Sequence, residues 1–158
     1  MHDFSTAQTK ENMAQLQWKP TQRWIPPTAG IYKLNFDGAI NKTTKMGGIG
    51  AIIINEDGAV MRAYAGRRTV EASADICSII LAQQMGFFNV EIEGDALRVI
   101  KNLQGKKANM SPIRALIEEA RIRKISLQFR KFTHIGRMGN MTAHMLAKHG
   151  IEVEEDSF

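Results

Sequence analysis

"YKLNFDGAINKTTKMGGIGAIII", from Tyr32 to Ile54, carries an apolar strand straight into an aspartate and a glycine. Tyr32, Leu34 and Phe36 alternate with Lys33 and Asn35, which is the period of a strand with one covered face. Asp37 follows in phase with Lys33 and Asn35 and marks the expected end of the strand. A carboxylate in that place needs water, a backbone turn, a cation or a metal as its partner. Asp-Gly is also an ordinary turn pair, so this stretch alone leaves a turn and a ligand position both open.

Upstream, residues 1–23 are polar and without a clear period, and read as a flexible leader. "WKPTQRWIPPTAG" then reads as an extended lead-in, since Pro20, Pro26 and Pro27 oppose regular pairing and Trp18 and Trp24 serve as anchors. Downstream, strand-like runs at about 31–37, 49–55 and 59–66 are joined by "NKTTKMGG" and by "NEDG", whose Asp57-Gly58 is a hairpin signal. An antiparallel meander is the simplest arrangement. "GGIGAI" lacks the spacing of a dinucleotide loop and reads as a tight backbone turn.

From Glu71 to Met85 the pattern turns helical and apolar nearly all round, as expected of a helix buried across a sheet with Cys77 as an inert thiol. Gly86 ends it, and "FFNVEIEGD" supplies a fourth strand at β–α–β spacing. "ALRVIKNLQG" is a short helix, and Ser111 and Pro112 open another through "IRALIEEARIRK". "ISLQFRKF" alternates as a fifth strand, and "GNMTAHMLAKHG" is a closing helix with Asn140 as its cap and Gly150 as its stop. The expectation is an α/β fold with a five-stranded mixed sheet, an antiparallel meander and then two strands, flanked by helices. It occupies residues 24–150, with an acidic tail at 151–158.

At 158 residues and 44% hydrophobic, the chain suits one domain with a real core. No apolar run approaches the roughly 18–20 residues that span a bilayer, and the N-terminus lacks a signal-peptide stretch. One cysteine forms no internal disulfide, so the expectation is an intracellular protein with no membrane segment. The formal charge of +5 is uneven, because the tail is acidic while Arg98 to Lys148 is dense in Lys and Arg. Such a body favours polyanions, with Lys106, Lys107, Arg121, Arg123 and Lys124 as phosphate contacts, although solvated helix faces account for the same charges.

Three acids hold comparable places in the order of elements: Asp37 after strand one, Glu71 opening the central helix, and Asp95 after strand four. Singly, each has an ordinary reading as a turn or a helix N-terminal charge. Together they would repel one another unless a cation lay between them. Two Mg²⁺ ions about 3.5–4 Å apart on such carboxylates stabilise attacking and leaving oxygens in phosphodiester cleavage.

On these residues the chain resembles the ribonuclease H fold, and most closely its plant reverse-transcriptase-like branch. The segments that carry the resemblance are "WIPPTAGIYKLNFDGA", "GGIGAIIINEDGAV", "EASADICSIILAQQMGFFNVEIEGD" and "FTHIGRMGNMTAHMLAKHG", in that order. It implies an endonuclease that cuts the RNA strand of an RNA–DNA hybrid with two Mg²⁺ or Mn²⁺ ions. Asp37 would bridge the ions, with Glu71 and Asp95 completing the sites; Asp75, one turn after Glu71, competes for that place but spaces badly to Asp95. His134 matches a histidine that assists proton or product handling near the scissile phosphate. His144 stands where the nuclease pattern has a fourth aspartate, a substitution also common in the plant branch, and a nitrogen ligand there favours Mn²⁺. Weak or metal-selective cleavage is the first expectation. A catalytically silent nucleic-acid-binding domain, or a protein-interaction domain, is the alternative.

Overall fold

The computed structural model describes residues 23–69, 74–104 and 128–158. Glu71, the side chain of Asp75, Trp18, the leader up to residue 22, the helix expected from Ser111, and Lys106, Lys107, Arg121, Arg123 and Lys124 lie outside the described residues. Strand β1 (Tyr32–Asn41) pairs antiparallel with β2 (Met46–Ile54), which pairs antiparallel with β3 (Val60–Thr69). Helix α1 (Ala74–Gln84) leads to β4 (Asn89–Gly94), which lies parallel to β1. Helix α2 (Leu97–Gln104) comes before β5 (Gln128–His134), which is parallel to β4. A 3-10 turn at Arg137–Asn140 feeds helix α3 (Met141–Glu152). The spatial order β3-β2-β1-β4-β5 is the expected mixed sheet. No helix among the described residues is long and apolar enough to cross a membrane.

Local signals explain several boundaries. Gly58 takes φ 78° in the β2–β3 turn, where Asn55 Oδ1 accepts the Asp57 and Ala59 amides. Gly86, at φ 87°, closes α1, and the Phe87 amide reaches back to the Ala82 carbonyl. Two expectations give way. Asp37 does not end β1, because Asp37 pairs with Gly50, Gly38 with Ile49, and the ladder continues to Asn41 and Met46. The reversal lies at Asn41–Lys45 instead, with Asn41 Oδ1 accepting the Thr43 and Thr44 amides. "GGIGAI" is accordingly strand and not turn, since Gly47 to Ile49 satisfy their backbone groups against β1 and β3.

Alternation along the strands sends Leu34, Phe36, Ile49, Ala51 and Ile53 to one face, where they meet Ile79 of α1, Ile92 of β4 and Ile100 of α2. The other face carries Lys33, Asn35, Asp37, Gly48 and Gly50 under α3. The expectation of one covered face is therefore corrected: Lys33, Asn35 and Asp37 are as buried as their apolar neighbours. Polar groups tolerate this because they find one another. The Lys33 ammonium pairs with Glu93 Oε1 at 2.8 Å, donates to the Ile25 carbonyl and lies 5.4 Å from the Trp24 ring centroid. Asn35 Nδ2 donates to Glu93 Oε2, and its Oδ1 accepts the Trp24 indole N–H at 3.1 Å. Trp24 thus anchors the lead-in to the sheet.

Gly150 does not stop α3, which runs on to Glu152. It sits inside the helix because a Cβ there would come within 2.7 Å of the Gly66 carbonyl, so glycine lets helix and strand touch.

Beyond α3 the chain returns to β3, an edge strand. Ala65 and Ser157 exchange both backbone hydrogen bonds, and Arg68 donates two hydrogen bonds to Asp156, each 2.8 Å. The Arg68 hydrogen bonds hold the Asp156 carboxyl below its ordinary value of 3.8, against the opposing effect of partial burial. A depressed carboxylate stabilises the fold above its unfolded pKa and loses that contribution as pH falls through the folded one. With both side chains 33% exposed, screening holds the effect to about 0.5–1 kcal/mol. Asp156→Asn should lower the unfolding free energy from urea titration by that amount at neutral pH, and the difference should vanish in acid below the carboxylate range. A difference that persists in acid would assign the effect to packing instead.

Candidate active site

Parallel pairing of β1 with β4 ends at Phe36 and Gly94, so Asp37, within β1, and Asp95, just past the carboxyl end of β4, emerge side by side where that pairing stops. Such strand ends gather functional groups from distant sequence. Asp37 stays clamped on its other side by β2, which gives it a more rigid backbone than a turn would. A cavity of about 200 Å³ opens beside the two acids, lined by Phe36, Asp37, Gly38, Ala74, Asp95, Ala96 and Val99. Ala74 lies shortly after Glu71 in sequence; Glu71 itself is outside the described residues.

Helix α3 reaches Asp37 from the other face of the sheet. Ala143 and Ala147 are fully buried against Gly48 and Gly50, whose missing side chains let the helix backbone approach the strand. That close seat brings His144 to Asp37, with Nδ1 2.7 Å from Oδ2. A carboxylate only accepts, so Nδ1 carries the hydrogen and Nε2 the lone pair. Arg137 Nη1 lies 3.2 Å from that Nε2 and 2.8 Å from Nδ1; only Nε2 can accept from it. Arg137 Nε in turn forms an ion pair with Asp95 Oδ2. A continuous polar chain therefore runs Asp37, His144, Arg137, Asp95.

Asn140 occupies the cap position of α3, yet its side chain makes no cap hydrogen bond. It is 1% exposed and turns inward: Nδ2 donates to the Phe36 carbonyl at 2.9 Å and to Asp95 Oδ1 at 3.4 Å, while Oδ1 accepts from Asn35. The expected cap is thus a brace between the 3-10 turn and the strand ends. His134 is the last residue of β5, half-buried, and its Nε2–H donates to the Asp95 carbonyl at 3.1 Å. It is a strand residue held at the site's rim.

Asp37, Asp95, His144 and His134 are thus brought together. Sequence reasoning missed Arg137, Asn140, Asn35, Glu93 and Lys33 as parts of the same constellation. The available signal was the polar register shared by Lys33, Asn35, Glu91 and Glu93 on two neighbouring strands, which reads as a solvent face until both faces are seen to be covered.

The donor chemistry suits a hard divalent cation. Asp95 Oδ2 is buried with the Arg137 guanidinium as its cationic partner, and two carboxylates flank a cavity of adequate size. Among the described residues, however, no three His, Cys, Asp or Glu side chains are grouped so as to hold an ion. Arg137 and His144 occupy the carboxylates in its place.

In sequence, the reverse transcriptase-like family matches residues 35–150. No curated protein matches the chain. In structure, the chain is similar to RNase H1 from the halophilic archaeon Halobacterium salinarum NRC-1, at 26% identity over 78% of this chain and 98% of that one, with a TM-score of 0.56. It is also similar to LC11-RNase H1 in complex with an RNA/DNA hybrid, at 19% identity, 77% and 96% coverage and a TM-score of 0.59. The N-terminal RNase H domain of a Mycobacterium tuberculosis protein matches at 20% identity, 77% and 94% coverage and a TM-score of 0.56. At these last two identities the likeness is one of fold. With most of its length matched in sequence and its sheet order shared with these structures, the chain belongs to the reverse transcriptase-like family and has a ribonuclease H-like fold.

Proposed function

We propose that this domain is a metal-dependent endonuclease that cuts the RNA strand of RNA–DNA hybrids, selective for Mn²⁺ over Mg²⁺ because His144 replaces a carboxylate. The observation that carries the reading is the meeting of Asp37 and Asp95, on adjacent parallel strands beside a cavity, with His144 held against Asp37. The structural likeness to an RNase H1 bound to an RNA/DNA hybrid supports the substrate class.

Asp37 and Asp95, with Glu71, would hold two Mg²⁺ or Mn²⁺ ions. Such ions supply charge stabilisation for the attacking and leaving oxygens of a phosphodiester. The chain's own residues would do the rest. β2 and Asn140 keep the two acids fixed in position. His134, with Nε2–H committed to the Asp95 carbonyl, offers its Nδ1 lone pair to a proton at the rim of the site. Lys106, Lys107, Arg121, Arg123 and Lys124 would neutralise backbone phosphates, so binding should weaken steeply as salt rises and show little sequence preference.

A second reading, a silent hybrid-binding domain, is favoured by one observation: Arg137 and His144 already engage the two acids. The two are separated by incubating a hybrid labelled on its RNA strand with each metal, alongside duplex DNA. The nuclease reading expects cleavage of the hybrid in Mn²⁺, less in Mg²⁺, and none of duplex DNA, since selection rests on the 2′-hydroxyl. His144→Asp should raise both Mg²⁺-dependent cleavage and Mg²⁺-dependent thermal stability, while lowering metal-free stability by about 0.5–3 kcal/mol through added repulsion. A mutant that gains neither removes position 144 from the metal site.

A further inference from the structure

The second inference rests on the reading of Asp37 and Asp95 as metal ligands. We propose that Arg137 is an internal counter-cation: it competes with divalent ions for Asp95 and thereby sets how tightly this site takes metal.

The Asp95 side chain is only 5% exposed and lies next to a second carboxylate, Asp37, so in the metal-free protein it needs a positive partner. Arg137 supplies that partner through Nε on Oδ2, a buried oxygen. The oxygen cannot hold a guanidinium and a divalent ion at contact together, because the two cations repel at such range. His144 is coupled to the same event, since its Nε2 accepts from Arg137 and its Nδ1–H holds Asp37. Departure of the guanidinium therefore frees Asp95 and loosens the His144 contact at once.

Exchange is mechanically easy. Arg137 is 54% exposed, so its guanidinium can retract into water without a desolvation cost of its own. Its backbone stays in place, because the 3-10 turn that bears it is pinned at its far end by the buried Asn140. A swinging side chain on a fixed backbone is a competitor and not a lid. By linkage, whatever Arg137 contributes to the metal-free state is subtracted from metal affinity.

The test compares the parent chain with Arg137→Gln and Arg137→Lys, titrated calorimetrically with MnCl₂ and MgCl₂ at fixed ionic strength and melted with and without metal. Arg137→Gln should bind both metals about 5- to 20-fold more tightly, with a smaller gain for Arg137→Lys, which keeps the charge without the planar fork. Its metal-free melting temperature should fall and the gap to the parent should close at saturating metal. In the parent, the Arg137 Nε–H NMR resonance should shift in proportion to metal occupancy. An arginine that merely supports the site predicts the opposite, weaker metal binding in Arg137→Gln, and that result or an unchanged affinity overturns the proposal. Absence of binding in both proteins overturns it as well. Hybrid cleavage by the parent decides separately whether the nuclease reading falls with it.

Discussion

On the proposed nuclease reading, Asp37→Asn is expected to reduce metal-dependent hybrid cleavage by about a thousand-fold or more, the consequence of losing roughly 4 kcal/mol of transition-state stabilisation from a carboxylate that would hold the metal. The fold should survive. Asp37 is 7% exposed and fixed by the ladder to Gly50, which the substitution leaves untouched. Its polar contact also survives, since an amide oxygen accepts the His144 Nδ1–H as a carboxylate does. Removing one of two adjacent negative charges leaves metal-free stability equal to the parent's or slightly higher. Cleavage rates and thermal melts on the same preparation check both halves. Unfolding of the mutant would return Asp37 to a purely structural role, and full activity would exclude it as a ligand.

Gly50→Ala is expected to cost more than about 4 kcal/mol of stability, a large share of the roughly 5–15 kcal/mol available to a domain. The added Cβ would stand 2.2 Å from the Ala143 carbonyl oxygen and 2.3 Å from the Ala147 amide nitrogen. Both are helix backbone, with no rotamer through which to escape. Relief requires α3 to lift off β2, which would also withdraw His144 from Asp37. Gly136→Ala is the control: no atom lies within 4 Å of the new Cβ, and its φ of −64° is open to any residue. That change should stay within about 0.5 kcal/mol. Urea denaturation ranks the three proteins, and hydrogen exchange in α3 locates the damage. A near-neutral Gly50→Ala would mean that helix and strand do not touch in this way.

The order of elements was legible without the structure because it is set locally. Apolar alternation marked β1, Asp57-Gly58 marked a hairpin, and Gly86 marked the end of α1, each through a backbone preference that acts over a few residues. The acids Asp37 and Asp95 were legible for a related reason: each follows the apolar run of a strand in a β–α–β unit, and parallel pairing of those runs brings them side by side. Resemblance in four ordered segments supplied His144 and His134.

Other features were decided only by tertiary contact. The Asp37-Gly38 pair forms strand because β2 offers a complete hydrogen-bond partner, and ladder bonds outweigh a turn preference of a fraction of a kcal/mol. Gly150 stands inside a helix rather than at its end, and glycine is required there because Gly66 presses against it, which no neighbour in sequence reveals. Asn140 abandons its cap because Asp95, Phe36 and Asn35, all remote in sequence, bury its amide in better hydrogen bonds. Lys33 and Glu93 lie on a face that reads as solvent, yet helix and lead-in cover it, and burial is affordable only because each charge finds the other. Arg137 belongs with these. A surface arginine in a short turn acquires its place at Asp95 from the docking of α3 onto two glycines, a contact between segments that the chain must first fold to create.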